Sequence, residues 1–469
     1  MRRGYKVLLG CGIAIGIIGI AGGIALFVIS RDEAPPDDSD LIVKRLDIPD
    51  DQNGFTYFQQ AGEILYWPGT ESWEKAHTVA DDPNENSRDR LDKMLDGKDW
   101  DEALAAEILD ANKPTFALIE KGLACREFQV PEGKSIYDKI PYVFDFMQTA
   151  RLMRLRAADL AARDKGVEAV ERTLDVVFFG NSQERSKGGL VHFLVGQTIK
   201  GEGLEQLRRL LVECKVPAET LQAVAVRLTA WQDSATGLAD GLRCEYQIES
   251  NTIEAIHQGN LTMKSLARID HDPIRPSWSE RLDVALSLKP NQTKRLCAES
   301  LRTFVEACAK PYAACPTLHS TQENRDRLLR TLAPRNTLGR TLYGILVPAV
   351  LGVLEHKCGA HTDMAATQAL MALKPFKMKT GRLPKTLDEL VLEYLAAVPL
   401  DDFDGKPLRY SPEKKILYSV GKDLKDVGGF TKEETLKWWQ KENPTRPPED
   451  APPAPPVWDL PNPSWPIEF

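Results

Sequence analysis

The amino-acid sequence predicts a mainly α-helical protein, a membrane-anchored array or bundle of α-helical hairpins followed by a small α+β module. Three observations carry that reading. Val7 to Ser30 is a run of 24 residues without a charge. Apolar residues from Gly54 to about residue 375 recur at helical spacing, with very little period-two alternation before residue 380. From Gly381 onward, glycine, proline and aspartate punctuate short apolar runs of strand length. With 469 residues and 42% hydrophobic side chains the chain can fill a core. Sixty Lys and Arg against 68 Asp and Glu, a net charge of −8 and no basic stripe argue against nucleic acid as a partner.

Residues 1–30 read as a cytoplasmic stub and a transmembrane helix. As a helix, Val7 to Ser30 would cover about 36 Å against a hydrocarbon core of roughly 30 Å, longer than the apolar stretch of a cleaved export signal. Arg2, Arg3 and Lys6 precede the run, and Arg31 stands alone after it among Asp32, Glu33, Asp37, Asp38 and Asp40. That bias puts the N-terminus in the cytoplasm and the bulk outside, in a bacterial inner membrane protein. Gly12, Gly16, Gly19 and Gly23 share one helical face, as a seam for transmembrane self-association or as a glycine-rich anchor.

Residues 31–53 are acidic, carry Pro35, Pro36 and Pro49, and read as an exposed tether. Residues 54–360 read as the all-α extracytoplasmic body. Phe55, Phe58, Ala61, Ile64 and Leu65 mark a first apolar face, and the stripe from Trp100 to Leu123 is interrupted at Pro114. Tyr142 to Arg163 and Val167 to Phe179, joined through Gly166, form an αα-hairpin. Further helices are expected at Leu190 to Cys214, Ala218 to Trp231, Leu238 to Gln258, Lys294 to Ala309 and Leu342 to Lys374, with residues 271–322 as a long proline-bearing excursion. Export would leave the seven cysteines after Cys11 in an oxidising compartment, where Cys308 and Cys315, flanking a turn at Pro311, are the pair expected to approach each other. The other reading of these cysteines is as small buried hydrophobes. Residues 439–469 are a Pro-rich tail, with ten prolines from Pro444 to Pro466, either wrapped on the body by Trp458 and Trp465 or free to meet a partner.

Within residues 361–438 the motif series runs Gly381-Arg382-Leu383-Pro384, Leu387, Leu390, Tyr394-Leu395, Val398-Pro399, Asp401-Asp402-Phe403-Asp404-Gly405-Lys406-Pro407-Leu408-Arg409-Tyr410 and Tyr418-Ser419-Val420-Gly421-Lys422-Asp423, then Asp426, Gly428 and Gly429. Gly405 and Pro407 suit a turn feeding a strand at Leu408 to Tyr410, and Ile416 to Val420 is a second run of strand length. This segment, from about residue 365 to 429, resembles the C-terminal module of the major pseudopilins of type II secretion, and the overall plan is similar to that of several membrane-anchored bacterial proteins. The resemblance implies a helix leading into a small antiparallel sheet, and a calcium loop at Asp423 and Asp426 with Ser419 as an added oxygen. Calcium wants six to eight oxygens, so these residues begin a site without completing one. Asp402 stands where the family has a proline, Val427 fills a loop position that is often acidic, and the N-terminus lacks the prepilin peptidase signal.

The chain carries no nucleophile elbow, phosphate-binding loop, dinucleotide fingerprint or H-E-x-x-H motif. His356, Cys358 and His361 are a soft-ligand cluster whose helical angles keep the three from converging. The expected function is a non-enzymatic single-pass membrane protein whose body binds other envelope proteins as a scaffold. The alternatives are an accessory of a secretion or pilus-like apparatus and, more weakly, an envelope hydrolase.

Overall fold

Capping chemistry and chain breakers set the helix boundaries. The computed structural model describes residues 31–76, 84–232, 235–266, 276–315, 336–346, 350–444 and 460–469. In chain order the helices are α1 (Gly54–Glu63), α2 (Glu71–Ala76), α3 (Asn84–Leu95), α4 (Glu102–Ala111), α5 (Lys113–Ala124), α6 (Tyr142–Ala162), α7 (Gly166–Glu184) and α8 (Leu190–Glu213). There follow α9 (Ala218–Ala230), α10 (Ala235–His257), α11 (Met263–Leu266), α12 (Trp278–Ser287), α13 (Pro290–Ala307), α14 (Thr337–Leu346), α15 (Val350–Thr380) and α16 (Lys432–Glu442). Asn53 and Asp101 cap α1 and α4 by accepting from Phe55 N and Leu104 N. Ser277 with Glu280 and Thr431 with Glu434 form full capping boxes on α12 and α16. The stripe broken at Pro114 divides into α4 and α5 at Asn112, a fully buried residue whose side chain bonds Tyr66 N at 3.0 Å and Tyr66 O at 2.7 Å. Pro114 sits in the first turn of α5, where no amide hydrogen is needed.

Consecutive hairpins organise the body around α7 and α8. Val170, Leu174 and Val177 of α7 and Leu204, Leu207 and Leu211 of α8 pack with Leu221 and Leu228 of α9 and Met364, Leu370 and Phe376 of α15. Val176, Phe179 and Ile199 turn the other way, to Phe58 of α1 and Phe146 of α6, and Phe58 stacks on Phe179 with ring centroids 3.8 Å apart. The start of α8 joins α10, α13 and α14 in a third cluster through Phe193, Tyr246, Ile253, Leu301, Phe304 and Leu342.

Two glycines permit the α7–α8 contact. A Cβ on Gly180 would stand 2.5 Å from Lys200 N and 2.7 Å from Gly196 O, and one on Gly196 would stand 2.6 Å from Glu184 N. At that range Lys200 Nζ meets Glu184 Oε2 at 2.6 Å, with side chains 1% and 0% exposed.

The C-terminal module follows α15, which runs through Pro375 and ends at Gly381, whose φ of +74° is the usual left-handed stop. Strands β1 (Arg409–Ser411) and β2 (Ile416–Tyr418) pair antiparallel with Tyr410 opposite Leu417. The tail supplies a third strand, β3 (Ser464–Pro466), with Trp465 opposite Leu417, so the described end of the tail takes the packed course. Leu387, Leu390, Tyr394, Leu408, Leu417 and Trp465 share one core cluster with α7, α8, α9 and α15, so the module's apolar side is docked on its own body.

The structure corrects the sequence on several points. No helix among the described residues is long and apolar enough to cross a membrane, which overturns the single-pass membrane protein and, with it, the signal anchor and the inner-membrane localisation. The long helices are amphipathic: α8 alone carries Lys200, Glu202, Glu205, Arg208, Arg209 and Glu213. The run Val7 to Ser30, with Gly12, Gly16, Gly19 and Gly23, lies outside the described residues. Residues 31–53 do not stand clear of the body. Asp32 accepts from Asn291 N at 2.7 Å at the start of α13, Glu33 and Asp40 each meet an arginine of α13 (Arg295 and Arg302) at 2.8 Å, and Leu41 is buried in the third cluster. The excursion at 271–322 contains α12 and all of α13, and the stretch 342–374 is shared between α14 and α15. All seven described cysteines, Cys308 and Cys315 included, are free thiols.

Gly180→Ala is expected to lower stability by about 3 kcal/mol, because backbone must move to admit the methyl group; urea denaturation checks it, and an unchanged midpoint refutes the close approach. A second expectation concerns Glu249 of α10, which is buried against Cys297. Burial first, then the Glu245 carboxylate one turn away, pushes its carboxyl from 4.5 up to about 8. The fold therefore favours the neutral form, and the stability it contributes below the unfolded value is lost as pH rises through the folded one. Thermal melts from about pH 5 to about pH 9 should show a fall that Glu249→Gln flattens; parallel curves for the two proteins would remove the assignment.

Candidate binding groove and the buried junction behind the module

Two places combine polar chemistry with shape. The first is an open groove of about 960 Å³ between the α4–α5 pair and the α6–α7 hairpin. Leu109 of α4, Phe116 and Ala117 of α5, and Leu160 and Val167 beside the α6–α7 turn supply its apolar surface. Lys113, Arg156 and Arg172 alternate along it with Glu120, Asp159, Glu168 and Glu171. Arg156 bonds Glu120 at 3.0 Å and its guanidinium carbon lies 4.7 Å from the centre of the Phe116 ring, so the guanidinium is held over the groove wall. Arg172 pairs with Asp175, Asp159 with Arg163 and Glu171 with Arg227, which leaves the rim charged but locally neutralised. Helical periodicity builds these walls, since Phe116, Ala117 and Glu120 fall on one side of α5 and Arg156, Asp159 and Leu160 on one side of α6.

The second place is the junction where α15 meets the module. Tyr312 N donates to Asp402 O at 3.0 Å and Ala313 N to Phe403 O at 2.7 Å, which zips the turn after α13 to the module. Asp402 then reaches α15, where Lys357 Nζ lies 2.6 Å and His361 Nδ1 3.3 Å from its Oδ2. Burial alone would raise the Asp402 carboxyl, but the His361 hydrogen bond and the Lys357 ammonium overcome it and hold it below the usual carboxylate range. Lys357 is 2% exposed; burial works against its charge, yet Asp402 wins and raises it. His361 is lowered by burial, with the Lys357 and Lys200 ammonium groups opposing its protonation against Asp402. Cys358, beside Lys357, is pushed far up by burial and by Asp402, and Cys308 is pushed up to about 12 by burial, so both are protonated thiols with little nucleophilic character at neutral pH.

Asp401 organises the module from inside. It is fully buried, and accepts from Ser419 Oγ at 2.9 Å, Val420 N at 2.9 Å, Phe403 N at 3.1 Å and Arg409 Nη1 at 3.1 Å. Ser419, expected to contribute to a calcium loop, is thus turned inward. Asp423 accepts from Lys425 N and Asp426 from Gly428 N, each capping its own exposed turn, with Asp426 3.8 Å from Arg409 Nε. Among the described residues no group of three or more His, Cys, Asp or Glu is placed to hold a metal ion. His356 is exposed while Cys358 is buried, and α15 continues unbroken through Gly359, so the soft-ligand cluster does not assemble.

Sequence reasoning missed both places. The groove needs two helix pairs whose mutual arrangement no spacing reveals. Asp402 is visible in the sequence as one of a run of acidic residues, but its partners lie 45 and 41 positions earlier. Set against protein-family models, curated proteins and solved structures, the chain finds no match.

Asp402→Asn leaves Lys357 buried without its countercharge and is expected to cost about 3–5 kcal/mol. Adding Lys357→Met should recover most of that loss in denaturant melts. Failure of the double variant to recover would show that the pair is not the reason for the loss.

Proposed function

We propose that this chain is a non-enzymatic peptide-binding protein that takes an extended segment of a partner protein in the groove between α4–α5 and α6–α7. The observation that carries the reading is the groove itself, an open channel of about 960 Å³ with Phe116, Leu109 and Leu160 as its apolar surface and alternating charges on its rim. Four carboxylates face three cations there, which disfavours a polyanion and suits a polypeptide that sets apolar side chains among a few basic ones. Support for binding over catalysis comes from the junction, where the buried charged groups are paired with one another and the thiols are held protonated.

Residues 361–438 are, in this reading, a pseudopilin-like module used as a fixed cap. Three features support that use: the lead-in helix α15, the β1–β2 hairpin at the expected place, and an apolar side already spent on α9 and α15.

The test is selection of peptides on the immobilised full-length protein, followed by affinity measurement. Ala117 is exposed on the groove wall, so Ala117→Trp fills the groove without entering the core. Selected peptides should carry aromatic or aliphatic anchors with basic neighbours, and Ala117→Trp should weaken them at least about ten-fold, or 1.4 kcal/mol, at an unchanged melting temperature. Binders indifferent to that substitution would overturn the proposal.

A further inference from the structure

A second concavity, of about 250 Å³, shares no residue with the groove. It lies between the last turn of α10, the turn leading into α11, and α12. Its floor is the surface of the third cluster. Ile256 and Leu261 are buried in that core, whereas Met263, Val284 and Leu338 pack against it and stay half-buried. Polar bonds hold the walls in place, for α12 buries none of its ten residues. Glu280, which closes the capping box of α12 with Ser277, also accepts from Lys264 Nζ at 2.9 Å and so fastens α12 to α11. Gly259, at φ +73°, turns the chain out of α10. A helix that leaves its apolar side half-covered above a hollow lacks a piece of core.

The rim supplies one uncommitted cation. Arg281 crosses Gly259, its Nε 3.4 Å from where a Cβ would stand, and among the described residues its guanidinium has no hydrogen-bond or ion-pair partner. Lys264 is already paired with Glu280. Asp283, the other carboxylate there, is exposed on the opposite flank of α12, since two helical positions are about 200° apart. An open guanidinium beside an apolar hollow suits a ligand with an aliphatic body and a carboxylate head, which the arginine fork grips with two parallel hydrogen bonds. At about 30 Å³ for a group the size of a water, the hollow has room for about eight carbons.

We infer that this pocket is a binding site for a short aliphatic carboxylate, its chain laid on Ile256, Met263, Val284 and Leu338 and its head on Arg281. The site is separate from the groove, and neither reading rests on the other.

The test is calorimetric titration of the full-length protein with sodium octanoate, with octanol, hexanoate, decanoate and dodecanoate alongside. Octanoate should bind one per chain and raise the melting temperature, as a ligand of the native state must. Affinity should climb about four-fold per carbon from hexanoate to octanoate, the increment for burying a methylene, and stop climbing at decanoate, where the hollow is full. Arg281→Ala should weaken octanoate at least about ten-fold and leave octanol unchanged, whereas Val284→Trp should abolish both by filling the hollow. Arg281 is exposed and has no partner to lose, so its variant keeps the inference testable if Val284→Trp does not fold. Failure of octanoate to bind, binding indifferent to Arg281→Ala, or affinity that keeps climbing through dodecanoate, as adsorption to any apolar surface does, overturns the inference. Loss of octanoate binding in Ala117→Trp also overturns it, by placing the ligand in the groove.

Discussion

The approach of α7 to α8 at Gly180 and Gly196 is the constraint on which the rest of the structure depends. Backbone atoms in van der Waals contact leave no freedom to slide, and the Lys200–Glu184 pair buried at the same crossing fixes the register. Such a pair adds little net stability, because removing both charges from water offsets most of their attraction. Its effect is to forbid alternatives, since any other register strands a charge in the core. From that hairpin one face carries the α1–α6 cluster and the other carries α9, α15 and the module.

The same economy governs the junction. Burial lowers His361 first, and the Lys357 and, more weakly, Lys200 ammonium groups also oppose its protonation. Lys200 with Glu184 and Lys357 with Asp402 neutralise one another pairwise within the protein. The groove differs in kind: its charges sit at the rim, partly exposed, where a ligand can exchange with their present partners at small cost.

The helical body was largely legible because a 3.6-residue apolar period needs no knowledge of neighbours. The hairpin at 142–184 emerges from Tyr142, Phe146, Leu152 and Leu155 followed by Val170, Leu174 and Val177, close to its observed bounds. Gly180 and Gly196 were not legible as contacts, because a glycine within a helical pattern has no signature that distinguishes a close approach from a weak spot. The acidic run at 31–53 was misread for a related reason. Aspartates look solvated until the helix that they cap is located, and α13 lies some 260 positions away. The groove depends on how two pairs of helices meet, and the junction on pairings across more than forty residues. A local pattern encodes neither.

That separation imposes an order on the making of the molecule. The segment at residues 31–41 leaves the ribosome about 260 residues before Asn291, Arg295 and Arg302, which hold it. Through that interval its carboxylates have no cation from α13, and the cluster that buries Leu41 lacks its α13 and α14 side chains. The body must close over helices whose first tether is still loose. Loop-closure entropy rises only slowly with length, so the delayed contact is not weakened by its distance, but it can form only late. Residues 31–41 therefore lack these partners until α13 has been made.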